Sequence, residues 1–290
     1  MGQHGTRRFA RALGAVVVLL TGSMVAAADA KAPTTAPAAG VLRVAIYDDG
    51  GGSQSGTTNV SQCLTTTGGG FKFKAVKAED IRAGVLKDYD VLVQPGGSGS
   101  KQAAALGDEG RETVRTFVRN GGGYVGICAG SYLSTTDYTW SLGLLNAKVL
   151  DRKHWARGTG PVQIRLTEAG KKFFGATGDG MTVYYGQGPL LSPDDKADLP
   201  AYEPLAVYES EIAKNGAPSG VMIGTTAIAT TPFGKGRVIC FSPHLEKNPE
   251  QQGLIRLAIR WAGGAGQGGS AAAAAAAAAS AGGVETVSGK

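Results

Sequence analysis

Histidine, cysteine and charge are all scarce in this chain. Of 290 residues only three are His and three are Cys, and charged residues make up 18%. Three cysteines in a chain this long exclude a small disulfide-stapled scaffold, and an odd number leaves at least one thiol unpaired. The formal charge is +6, yet the basic residues are scattered, among them Lys72, Lys74, Lys77, Arg111, Arg115, Lys171, Lys172, Arg256 and Arg260. No basic stripe interleaved with aromatics occurs, which excludes a nucleic-acid footprint. A long apolar run is also missing. The stretch Leu13–Ala27 is too short and too rich in alanine for a membrane span. No metal or cofactor is implied by what remains. Glycine, by contrast, is abundant at 46 residues, about twice the usual share.

The N-terminus reads as an export signal. Arg7, Arg8 and Arg11 form a basic region before the apolar stretch, and Ala28-Asp29-Ala30 supplies an A-x-A cleavage site. Residues 1–30 are therefore expected to be a signal peptide, and the protein to be periplasmic or secreted, with no membrane span after cleavage. Residues 31–40 (K-A-P-T-T-A-P-A-A-G) read as a flexible lead-in. From residue 264 the chain is low in complexity, with nine successive alanines lacking an amphipathic face, and a disordered tail is expected. The folded domain is then 41–263.

Within that domain apolar runs and helical periods alternate. Val41–Tyr47, Phe71–Val76, Asp90–Gln94 and Tyr124–Ile127 read as strands. Between them lie helical stretches at Thr58–Thr66, at A-E-D-I-R-A-G-V-L, and at Glu109–Arg119, where Val114, Phe117 and Val118 share one face. This alternation predicts an α/β fold with a mostly parallel sheet and helices on both faces. The second half changes character. Val162–Leu166, Met181–Tyr185, Leu205–Val207, Ala227–Thr231 and Gly236–Phe241 are β-like, with one short helix near Thr167–Phe174. An antiparallel extension is expected there, followed by a helix over Gln251–Ala262 with Leu254, Leu257, Ala258 and Trp261 on its apolar face.

Ligands of open α/β sheets bind at the carboxyl ends of the strands, and three motifs fall there. Gly126-Ile127-Cys128-Ala129-Gly130 is G-x-C-x-G, a sharp strand-to-helix turn that needs small neighbours around an exposed nucleophile. A helix N-terminus at that turn favours a thiolate. Pro95-Gly96-Gly97-Ser98-Gly99-Ser100 offers backbone N–H groups to an anion or oxyanion. Ser242-Pro243-His244-Leu245-Glu246 contains H-x-E. On an extended segment its two side chains would point the same way, so that Glu246 orients His244 and His244 takes the proton of Cys128. Each motif alone has a plainer reading as a turn or a core thiol; all three at strand ends point to a nucleophile. Cys240, in an apolar strand, and Cys63 read as structural thiols, with a disulfide between them conceivable. His154 reads as a surface loop residue.

G-G-Y-V-G-I-C-A-G-S-Y, with P-G-G upstream and S-P-H-L-E downstream, resembles the class I glutamine amidotransferase-like superfamily, and within it the biotin-protein ligase N-terminal domain family. Tyr184-Tyr185-Gly186-Gln187-Gly188-Pro189, F-G-K-G-R-V and V-A-I-Y-D-D-G-G add to the resemblance, which extends over nearly all of 41–262. It implies a flavodoxin-like, three-layer fold with a triad of Cys128, His244 and Glu246. Gly96, Gly97 and the N–H of Ala129 would form the oxyanion hole. Two departures stand out: the family's H-P-E is H-L-E here, and no ligase or synthase domain accompanies it. Biotin transfer and ammonia channelling are therefore not inferred.

The function expected is that of an exported cysteine hydrolase acting on a glutamine-like, γ-glutamyl or peptide amide, without nucleic-acid partners. Ser98, Tyr132, Tyr185 and Gln187 would line its pocket. The alternative is a small-molecule-binding or scaffold module that keeps the elbow as architecture, with a cleft lined by Asp48, Ser98, Ser131 and Tyr185. A third idea, thiol redox or carbonyl chemistry at Cys128, has no need of H-x-E.

Overall fold

Leu42–Tyr47 forms the first strand, β1, and its side chains alternate between two buried faces. Val44 and Ile46 join one core while Ala45 and Tyr47 join the other. That double burial is why the strand is a continuous apolar run and not a polar/apolar alternation. The computed structural model describes residues 40–65 and 70–264. The expected signal peptide, residues 31–39 of the lead-in and residues 265–290 of the tail lie outside the described residues.

After β1 come α1 (Gln54–Thr65), β2 (Phe71–Val76), α2 (Ala78–Arg82), β3 (Val91–Gln94), α3 (Gly99–Arg119), β4 (Gly123–Ile127) and α4 (Ala129–Ser134). The second half contains β5 (Ala147–Leu150), β6 (Gly160–Leu166), α5 (Glu168–Phe174), β7 (Gly180–Tyr185), β8 (Leu190–Pro193), β9 (Glu203–Tyr208), β10 (Thr226–Phe233), β11 (Gly236–Phe241) and α6 (Gln252–Ala262). Among the described residues these strands form one sheet, in the order β2-β1-β3-β4-β11-β10-β9-β6-β7, with β8 pairing both β10 and β5. The first five are parallel neighbours and the rest antiparallel. The architecture is thus flavodoxin-like α/β with an antiparallel extension, as the sequence pattern predicts.

Helices cover both faces. α1 and α6 lie over the core that contains Val44, Val93, Val125 and Ile239. α3 lies over the one that contains Tyr47, Leu92, Tyr124 and Val238. The buried stripe of α6 is Ile255, Ala258, Ile259 and Ala262, one step along from the expected Leu254, Leu257 and Trp261, which pack half-buried at its margin. α3 starts ten residues before the predicted Glu109 because its first turns are anchored by tertiary contacts. Buried Gln102 donates to Pro95 O (3.0 Å) and accepts from Gln94 Nε2 (3.2 Å). The helix tolerates the change of direction at Gly107, whose φ is +65°. The short strands β5 and β8 had no counterpart in the sequence reading. Their four-residue runs take their regularity from pairing with each other over Ala147–Leu150 and Leu190–Pro193.

The three cysteines are free thiols. Cys63 packs in one core and Cys240 in the other, so the sheet lies between them and the conceivable disulfide is not formed. No helix among the described residues is long and apolar enough to cross a membrane.

Candidate active site

The loops after β3, β4, β7 and β11 meet at one end of the sheet. β4 runs into α4 through Cys128, whose φ of +50° and ψ of −98° lie where a side-chain-bearing residue is strained. Such a conformation costs of order 1–3 kcal/mol and persists only when its surroundings hold it. Here Cys128 N donates to Phe241 O (2.8 Å), and Cys128 O accepts from the N–H groups of Ser131 and Tyr132 (3.0 Å each). The flanking glycines are a packing requirement. A Cβ on Gly126 would sit 2.7 Å from Gly130 C and O, and one on Gly130 would sit 2.1 Å from Gln94 O. The G-x-C-x-G spacing is therefore the sequence trace of a tight elbow.

His244 reaches the same point from the end of β11. It caps a short 3-10 turn, Leu245–Lys247, with φ −106° and ψ 78°. The H-x-E pair is thus not on an extended segment, as the sequence reading had it. The turn bends Glu246 back, so that its Oε1 meets His244 Nδ1 at 2.6 Å. Glu246 is 1% exposed, and its Oε2 has no hydrogen-bond partner among the described residues. Nδ1 is engaged with Glu246, and His244 and Cys128 line one cavity. Burial works against a charged imidazole here. The neighbouring Cys128 and the Glu246 side chain outweigh it, and His244 is held above its ordinary pKa. The His244 backbone N–H donates to Tyr184 O (2.9 Å), tying this loop to β7.

The imidazole fits only because glycines abut it. A Cβ on Gly96 would sit 2.8 Å from His244 Cε1. One on Gly186 would sit 2.6 Å from both Cδ2 and Nε2. Gly186 O also lies 3.5 Å from Cys128 Sγ. Gly97, with φ +136°, packs against Gly51, where a Cβ would be 2.1 Å from the Gly51 carbonyl oxygen. Gly96 therefore abuts both His244 and Cys128, and Ala129 follows Cys128 as the first residue of α4.

Cys128 separates two cavities. One, of about 200 Å³, is lined by His244, Glu246, Gly96 and Gly186 together with Ser53, Thr159, Tyr184 and Lys247. The other, of about 410 Å³, contains Ser98, Tyr132 and Gln187, as the sequence predicted. Burial holds the Tyr132 phenol well above its ordinary pKa, so it stays neutral. Tyr185 does not line either cavity. The two-residue period of β7 sends Tyr184 outward and buries Tyr185 completely, with its hydroxyl donating to Gly188 O (2.9 Å). Ser131 is likewise fully buried, its Oγ 2.8 Å from Phe241 O, and Asp48 accepts from Thr57 (3.0 Å). The cleft drawn for a binding module through Asp48, Ser131 and Tyr185 is therefore not the one formed.

Sequence reasoning missed Tyr138, Trp140, Arg152 and Trp155, which all line the larger cavity. The signal was a concentration of aromatic residues between positions 132 and 155 in a chain with 7% aromatics. His154 is also more than a loop residue: it lies half-buried in a 3-10 turn, with Nδ1 2.6 Å from Asp151 Oδ1. Asp151 in turn pairs with the fully buried Arg157. Among the described residues no group of three or more His, Cys, Asp or Glu is placed to hold a metal ion.

Residues 42–157 match the family model described as biotin-protein ligase, N terminal. That segment holds the elbow and the Pro95–Ser98 loop, and the match ends before the loop of His244. Two solved structures share the fold. A ThuA-like protein from Bacteroides uniformis is 15% identical with a TM-score of 0.50, over 80% of this chain and 95% of that one. A ThuA-like protein from Parabacteroides merdae is 12% identical with a TM-score of 0.50, over 77% and 90%. A cytoplasmic protein from Salmonella typhimurium aligns over 76% and 98% at 13% identity, with a TM-score of 0.49. At such identities the likeness of the two ThuA-like proteins speaks for the fold alone. No curated protein sequence matches this chain.

Proposed function

We propose, on the premise of this glutamine amidotransferase-like fold, that the protein is an exported cysteine amidohydrolase. The observation that carries the reading is the buried cluster at the elbow: a strained Cys128 lines one cavity with His244, whose Nδ1 meets Glu246 at 2.6 Å. In the first half-reaction Cys128 Sγ attacks the amide carbonyl. The carbonyl oxygen gains the negative charge and is received by N–H groups near Gly97 and Ala129. His244 gives its proton to the nitrogen, the C–N bond breaks, and ammonia or an amine leaves behind a thioester. In the second, His244 takes a proton from water. The hydroxide adds to the thioester carbon, and the carboxylic acid departs as the thiolate reforms. Glu246 stabilises the imidazolium and fixes its tautomer. The amides open to this chemistry are glutamine-like, γ-glutamyl or peptide amides.

The test is release of ammonia or amine from a carboxamide panel, with intact-protein mass spectrometry to detect the acyl-enzyme. Release that requires Cys128 and a thioester mass on it are expected; release that survives Cys128→Ala sinks the reading. The basic, apolar and A-x-A pattern of residues 1–30 supports export. Fusion of that segment to a reporter active only outside the cytoplasm tests it, and an inactive fusion refutes it. A second reading, a binding module without turnover, draws on the size of the aromatic cavity. It predicts a ligand recovered chemically unchanged.

A further inference from the structure

The larger cavity beside Cys128 is lined unevenly. Tyr138 and Trp140 stack with ring centroids 4.4 Å apart and planes 18° from parallel, and Tyr132 meets Tyr138 edge-on at 6.2 Å. The Arg152 guanidinium lies over the Tyr138 ring, 4.1 Å from its centroid, so it too presents a flat surface. Trp155 completes the lining while 56% exposed. An indole left in water makes little contribution to a core, whereas beside a cavity it is a ready stacking surface.

The charges are as uneven as the shapes. Among the described residues Arg152 is the one charged side chain that lines this cavity, and no carboxylate does. The nearby Asp137 is already engaged: Oδ1 with Arg152 (3.3 Å) and Oδ2 with Val149 N (3.0 Å). A free amino-acid amide such as glutamine would bring an ammonium with no anionic partner on the cavity lining. A flat ring would stack, and a carboxylate on its far side would meet Arg152.

We infer that this cavity is an acyl-group subsite for a planar ring, so that the preferred substrates are carboxamides of aromatic or heteroaromatic acids, neutral or carboxylate-bearing, and not free glutamine. The inference rests on the amidohydrolase reading for its orientation of the amide toward Cys128, but the ring-binding site itself can be measured without turnover. The full chain carrying Cys128→Ala is titrated with benzamide, 4-carbamoylbenzoate and L-glutamine by calorimetry and tryptophan fluorescence. Both aryl amides are expected to bind at least about tenfold more tightly than glutamine. Trp155→Ala in the same background is expected to weaken them by about fivefold or more. Because Trp155 is exposed, that variant should keep its melting temperature, which is checked alongside. Glutamine binding as tightly as benzamide, or aryl binding indifferent to Trp155, overturns the subsite. Trp155-dependent aryl binding with no ammonia release by the wild type upholds the ring site and refutes hydrolysis. Cys128-dependent release from glutamine with no aryl binding does the reverse.

Discussion

Gly186→Ala is the sharpest probe of the proposed relay, because it removes no reacting group and changes only the room around the imidazole. Gly186 is not in the left-handed region, so its backbone accepts alanine. The added Cβ would lie 2.6 Å from His244 Cδ2 and Nε2, whereas ordinary contacts begin at 3.4 Å. The ring must therefore shift by about 0.8 Å from a position set by its 2.6 Å contact with Glu246. Misplacing a reacting group by about 1 Å costs on the order of 100-fold in rate. That is about 2.7 kcal/mol in the barrier. The assay is the second-order rate of iodoacetamide alkylation at Cys128, read by peptide mass spectrometry at pH 7. Gly253→Ala serves as the control: its nearest neighbour would be 3.6 Å away, at the end of the flexible Arg256 side chain. Gly186→Ala is expected to slow alkylation to the level of His244→Ala, while Gly253→Ala matches the wild type. If Gly186→Ala alkylates at the wild-type rate, His244 does not govern the thiol and the relay is wrong.

Other consequences follow from burial and charge. Cys63 and Cys240 are fully buried, and burial above all pushes both thiols up to about 12, so native alkylation at pH 8 should label Cys128 alone; early labelling of either overturns the packing described. His244 is raised in the folded state, so its contribution to stability is complete below the ordinary histidine value of about 6.5 and is lost as pH rises through the raised value. The melting-temperature gap between wild type and His244→Ala should therefore narrow from pH 6 into the alkaline range, and a gap that widens contradicts the imidazolium. Gly130→Ala would drive a Cβ to 2.1 Å from Gln94 O and should cost about 1–3 kcal/mol in a urea melt, and an unchanged midpoint would show that the elbow has slack.

The parallel half of the fold was legible because its signals are local. Leu42–Tyr47, Val91–Gln94 and Gly123–Ile127 are apolar on both faces, and that pattern lies within each segment. The elbow was legible for the same reason, since the glycines it needs are two residues from Cys128 on either side. The H-x-E pair could be found, but not its conformation. The bend that brings Glu246 onto His244 comes from a 3-10 turn that no residue of S-P-H-L-E signals. Tyr185 was misplaced because the phase of β7 depends on which face its neighbours cover, and a shift of one residue reverses inside and outside.

By itself, then, the sequence determined the α/β class, the strands of the parallel half and the three motifs at their ends, because periodicity and tight turns are written in adjacent residues. Only the tertiary structure decided the strand order, the pairing of β5 with β8 and the meeting of His244 and Cys128 on one cavity. It also decided the cavity assembled from Tyr132, Tyr138, Trp140, Arg152 and Trp155. The strand pairings and the meeting of His244 with Cys128 join residues far apart in the chain, and how the 132–155 segment folds onto them is chosen by the packing of the layers, which no single segment specifies.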